Sequence, residues 1–118
     1  MEICEEMKKL RSYLDEKKNK WIDQSEHFDS VSFEMIIWRT WLWIGDRKIS
    51  VVNGFGTIGG IVGIDGENAG LLEIAIDGLG GVYGNLTADD VIIIIELIEK
   101  FGDDRIDKVF DEINKIGE

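Results

Sequence analysis

Glycine is distributed along this chain in a way that leaves few architectures open. Of its 14 glycines, all but Gly102 and Gly117 lie between Gly45 and Gly84, and there is no proline. A glycine inside a helix costs about 1 kcal/mol relative to alanine, and the same residue supplies the positive φ that tight turns need. The chain therefore divides into helix-patterned ends and a turn-rich middle. The predicted class is α+β: an N-terminal helix, an antiparallel sheet of about four strands, and two C-terminal helices, all within one domain of 118 residues.

The ends carry the helical period. Ile3, Met7, Leu10 and Leu14 recur at spacings of four and three, which predicts a helix over residues 2–20 with a core-facing stripe. Glu5 stands four residues before Lys9, the spacing of an intrahelical ion pair. Lys17, Lys18 and Lys20 gather where they oppose the helix dipole. Cys4 borders the stripe and is expected to be a half-buried thiol. Further on, VIIIIELIEKF alone is compatible with a buried strand, but Thr87 and Asp90 precede and open it in a capping-box pattern, which makes residues 88–101 a helix. Val91, Ile94, Ile95 and Ile98 form its core face; Ile92, Ile93 and Leu97 form a second apolar surface. After Gly102, an aspartate cap at 103 or 104 starts a last helix over 104–117, with Ile106, Val109, Phe110, Ile113 and Ile116 as its stripe. These two helices either cover each other or leave a surface for a homodimer.

The middle, residues 32–86, has the strand period. From position 38, Trp38, Thr40, Leu42 and Ile44 share one phase, and Arg39, Trp41 and Trp43 the other. GDRK makes a hairpin connection to a return strand, KISVVN, in which Ile49 and Val51 alternate with Lys48, Ser50 and Val52. The length of residues 32–44 suggests one long bent strand, or two pieces with a bulge near Ile36–Ile37. LLEIAID and VYGNL supply two more strands. Residues 21–31 read as a short extended piece, Trp21–Asp23, followed by a loop that holds His27.

Between the strands, GFGTIG spells a G-x-G-x-x-G. A dinucleotide site requires a helix directly after such a loop, whereas residues 60–70 contain four glycines and are a poor helix. A Walker loop requires a lysine that is absent. The glycines instead bare backbone groups, beside the short polar chains of Asn53 and Thr57 and the ring of Phe55. The candidate ligand or partner surface is Arg39, Trp41, Trp43, Asn53, Gly54, Phe55, Gly56, Thr57, Gly59 and Gly60, an arginine among indoles being suited to stacking and to holding anions. On the competing reading, the tryptophans are core and the glycines only bend the sheet.

Net charge and residue inventory exclude several chemistries. The formal charge of −11 opposes direct nucleic-acid binding. A single cysteine allows no internal disulfide and suits a reducing, cytoplasmic setting. The acidic start of the chain does not read as an export signal, and no apolar run is long enough to span a bilayer. One histidine, distant in sequence from the cysteine, makes no zinc site, and Asp65 with Glu67 lacks the calcium-loop pattern. No nucleophile–base pair stands out, so neither catalysis nor a cofactor is expected. Asp104, Asp107 and Asp111 form a carboxylate row that is either a solvated face or a mimic of DNA phosphates.

NGFGTxGG (Asn53–Gly60), GLLE (Gly70–Glu73) and LTADDVI (Leu86–Ile92) resemble a family of small uncharacterised phage and prophage proteins of Gram-positive bacteria. The resemblance covers most of residues 10–95 and implies a context rather than residue roles: small phage proteins that bind host machinery, defence systems included. The functional expectation is a non-enzymatic, cytoplasmic binding protein that inhibits or sequesters a host protein. The alternatives are a sponge for a small (cyclic) nucleotide and an acidic DNA-mimic inhibitor.

Overall fold

A computed structural model describes residues 3–29, 34–54, 70–77, 83–101 and 106–113. Helix α1 (Glu5–Glu16) is followed by strands β1 (Trp21–Asp23), β2 (Glu26–Asp29), β3 (Glu34–Ile44), β4 (Arg47–Gly54), β5 (Leu72–Ile76) and β6 (Tyr83–Leu86), then by helices α2 (Ala88–Phe101) and α3 (Ile106–Ile113). The class is α+β. The sheet is wholly antiparallel, in the order β1-β3-β4-β5-β6, with β2 also on β3.

There are six strands rather than about four, because β1 and β2 form one edge line in two pieces. Trp21 stands opposite Leu42 and Asp29 opposite Glu34, a single unbroken register along β3. Residues 26–29, expected in a loop, thus pair with β3, and His27 stands opposite Ile36. The line breaks only at Gln24–Ser25, where the Ser25 hydroxyl and N–H both donate to Asp23 Oδ1. A side-chain turn of this kind competes with the ladder.

Strand β3 is one long strand, the first of the two alternatives, and its pairing continues through Ile36–Ile37 without a bulge. The irregularity lies in β6, where the pairing with β5 shifts between Leu72–Leu86 and Ile74–Tyr83. Asn85 takes φ +58° there, the left-handed conformation that asparagine tolerates better than most residues. At the β3–β4 hairpin, Gly45 takes φ +60°, which suits the first central position of a two-residue II′ turn.

Helix α1 stops at Glu16, short of residue 20. Asn19 N–H donates to Leu14 O and Lys18 N–H to Asp15 O, which is a Schellman ending, and Lys18 takes φ +58°. Lysine is a poor occupant of that position. Glu5 pairs with Lys8 and not with Lys9, whose ammonium lies 3.0 Å from Asp89 on α2. The cap of α2 forms as the sequence indicates: Thr87 N–H donates to Asp90 Oδ2 and Asp90 N–H to Thr87 Oγ1. Glu6 of α1 adds an acceptor for Ala88 N–H at 2.9 Å, so the two helices share a cap.

The core lies between the helices and one side of the sheet. Met7, Leu10 and Leu14 of α1 and Val91, Ile94, Ile95 and Ile98 of α2 close over Leu42, Ile49, Val51, Leu72, Ile74 and Ile76. Val109 and Ile113 of α3 join the same cluster, whereas Ile116 and Asp104 fall outside the described residues. Ile92 and Leu97 pack partly against the core, and Ile93 remains 47% exposed.

Replacing Lys18 by glycine is expected to stabilise the protein by about 0.5–1 kcal/mol, because relief of the left-handed strain exceeds the added chain entropy. Urea denaturation measures this; an unchanged or lower midpoint would contradict the assigned helix ending.

Candidate functional site

The two phases of β3 point to opposite sides of the sheet. Thr40 and Leu42 are fully buried on the helix side. Arg39, Trp41 and Trp43 have the opposite phase, stand outside the core cluster and are half-buried. The register from the hairpin sets Trp43 opposite Lys48, Trp41 opposite Ser50 and Arg39 opposite Val52; β5 extends these rows with Ala75 beside Ser50 and Glu73 beside Val52.

This arrangement makes a hollow. Serine and alanine are short, so the row running from Trp41 through Ser50 to Ala75 has a tall wall and a low floor. Arg39, Trp41, Lys48, Ser50, Ala75, Ile76 and Asp77 line a concavity of about 540 Å³, within the range of small-molecule sites. Lys48 Nζ sits 3.2 Å from the centre of the Trp41 ring, and Lys20 Nζ sits 4.8 Å from that of Trp43. Both indoles are half-buried. Each is therefore covered by a lysine from the same face and not by core packing. Val52, on this side but outside the core cluster, is only 8% exposed.

The backbone of Arg39 is fixed from both directions. Its N–H donates to Ser25 Oγ at 3.1 Å, and its carbonyl accepts from Gln24 N–H and from Arg11 Nη2. Arg11 also donates to Thr40 Oγ1 at 2.8 Å and to Asp23 Oδ1 at 3.2 Å. The hydroxyl and N–H of Ser25, aided by Arg11, hold the Asp23 carboxyl below the usual range against a smaller opposing effect of burial. At the other end of the hollow, Lys48 O accepts from Asp77 N–H, and Arg47 donates to Asp77 O.

Not all of the expected site residues converge. Arg39, Trp41 and Trp43 share the outward face. Asn53 does not: it is 5% exposed, lies on the helix-side phase opposite Trp38, and donates to Leu71 O at 2.7 Å. Its amide satisfies a backbone carbonyl rather than a ligand because it falls two residues from Val51, in the inward phase. Gly54 ends β4 opposite Ile37. Phe55, Gly56, Thr57, Gly59 and Gly60 lie outside the described residues. Lys48, Ser50, Ala75 and Asp77 were not anticipated. The hairpin register, countable from the two-residue turn, would have placed Lys48 and Ser50; the long segment before β5 hides the other two.

Elsewhere, Cys4 is half-buried, and burial raises its thiol pKa, away from reactivity. Among the described residues no three His, Cys, Asp or Glu side chains are placed to hold a metal. No described helix is long and apolar enough to cross a membrane. Asp111 is exposed on α3, but the side chains of Asp104 and Asp107 lie outside the described set. No family model, curated protein or solved structure matches the chain.

Asp23 gives a pH signature. Its folded pKa is depressed, so its contribution to stability is complete above the ordinary aspartate value of about 3.9 and is lost as pH falls through the folded value. Asp23→Asn is expected to flatten this part of the acid-unfolding curve. Parallel curves for the variant and the wild type would contradict the network.

Proposed function

We propose that this chain is a non-enzymatic binding protein that sequesters a host factor, and that its binding surface is the outward side of the sheet. The observation that carries the reading is the placement of Trp41, Trp43 and Arg39 together, outside the core cluster and beside a hollow. Tryptophan and arginine are the residues most enriched among interface hot spots. A fold that needed these indoles only for stability would place them under the helices, where the aliphatic residues of β4 and β5 already fill the space.

Binding rather than turnover is favoured because the hollow offers two cations, an indole, a hydroxyl and one carboxylate, a set suited to holding a ligand. A host target and a cytoplasmic setting follow from the resemblance to small phage proteins and from the single thiol. Direct binding to nucleic acid fits poorly with the net charge of −11.

The double variant Arg39→Ala with Trp43→Ala tests the reading. Loss of two hot-spot side chains weakens binding by about 2 kcal/mol or more, roughly thirtyfold. Affinity capture from a bacterial lysate is expected to retain a defined partner on the wild type and lose it on the variant, which still unfolds cooperatively. A wild type that retains nothing, or equal capture by both, would contradict it. A variant without a cooperative transition would show that these residues are core.

A further inference from the structure

We propose that the hollow between Trp41 and Asp77 is a subsite for a nucleoside monophosphate, its base on the Trp41 indole and its phosphate at Arg39 and Lys48. This rests on the outward sheet face being the binding surface and names the chemistry that one part of it recognises.

Size comes first. A concavity of about 540 Å³ floored by Ser50 and Ala75 holds a small molecule, and antiparallel strands about 4.8 Å apart make the floor roughly as wide as a base. Charge comes second. Arg39 and Lys48 both line the hollow in a protein whose net charge is −11. Carboxylates farther away than the Debye length of about 8 Å are screened at physiological salt, so a small anion meets the local set: the Arg39 and Lys48 cations, with the Asp77 carboxylate beside Lys48 and Glu73 in the row of Arg39. A long polyanion does not gain the same exemption.

The third consideration is the indole. The Trp41 ring is occupied by the Lys48 ammonium at 3.2 Å. An exposed cation–π contact is worth about two- to fivefold in an equilibrium constant, whereas stacking of a base on an aromatic ring is worth roughly five- to a hundredfold. A ligand carrying both a base and a phosphate gains from the exchange twice: the base takes the ring, and the displaced ammonium takes the phosphate. Inorganic phosphate leaves the ring unused, and a neutral nucleoside displaces the ammonium without giving it a partner. Ser50 and Asp77 supply a hydroxyl and a carboxylate for the amino and hydroxyl groups of the ligand.

The test is calorimetric titration of the full chain with AMP, GMP, CMP and UMP, with adenosine and inorganic phosphate as controls. At least one nucleotide is expected to bind at least tenfold more tightly than either control and to quench tryptophan fluorescence. Lys48→Gln and Trp41→Leu should each weaken it at least fivefold. Ser50→Leu, which fills the floor and removes no contact with the ring or the cations, should block it while leaving the thermal transition cooperative. Absence of binding by all four nucleotides, no preference over both controls, or binding unaffected by Lys48→Gln and Ser50→Leu would overturn the proposal. If the nucleotides fail while the Arg39→Ala, Trp43→Ala variant still loses its protein partner, the binding face stands and only its nucleotide chemistry falls.

Discussion

The Arg11 guanidinium of α1 joins that helix to two strands, β1 and β3. It reaches Thr40 Oγ1 and the Arg39 carbonyl on β3 and the Asp23 carboxylate on β1, and it stands 5.1 Å from the centre of the Trp21 ring. Thr40 in turn donates to Met7 Sδ within the core. A largely buried guanidinium needs each of these acceptors, because an unpaired charge there would be strongly destabilising. The contacts fix α1 to one side of β3 and fix which phase of β3 is inward. A slip of one residue would exchange the two sides and bury Arg39 and Trp41 beneath the helices.

Everything at the opposite face follows from that choice. With Thr40 and Leu42 committed to the core, Arg39, Trp41 and Trp43 face outward together. The II′ hairpin at Gly45 then sets Lys48 and Ser50 across from them without freedom to shift. The hollow is thus a product of register: tall side chains on β3, short ones on β4 and β5. The backbone of Arg39 is held by the same edge network that holds Arg11. Core and candidate site are coupled through one strand.

Much of this was legible in the residues. The period of two in β3 gave the division of its faces, and the Thr87–Asp90 cap separated a helix from a plausible strand in VIIIIELIEKF. The isoleucines at 94, 95 and 98 fell where helical spacing places them. What could not be read depended on backbone conformation and strand register that the residue pattern does not show. The end of α1 is decided by Lys18 in a left-handed conformation that its side chain does not favour. Strand β2 looks like a loop because its pairing partner lies several residues beyond it, and polar residues mask the pattern. Asn53 seemed a surface group because it adjoins the glycine run; counting phase from Val51 shows it inward. Asp77 and Ala75 enter the hollow only through the β4–β5 register, which a long intervening segment leaves undetermined.

The central claim is that Ser50 and Val51, adjacent on β4, face opposite sides of the sheet, Val51 the helical core and Ser50 the hollow. Thiol labelling tests it most directly. In a Cys4→Ser background, single cysteines at Ser50 and at Val51 are compared under native conditions with a maleimide reagent. The account expects the cysteine at 50 to react at least two orders of magnitude faster than the one at 51 until the chain unfolds. Equal rates at the two positions, or protection at 50 and reaction at 51, would contradict it.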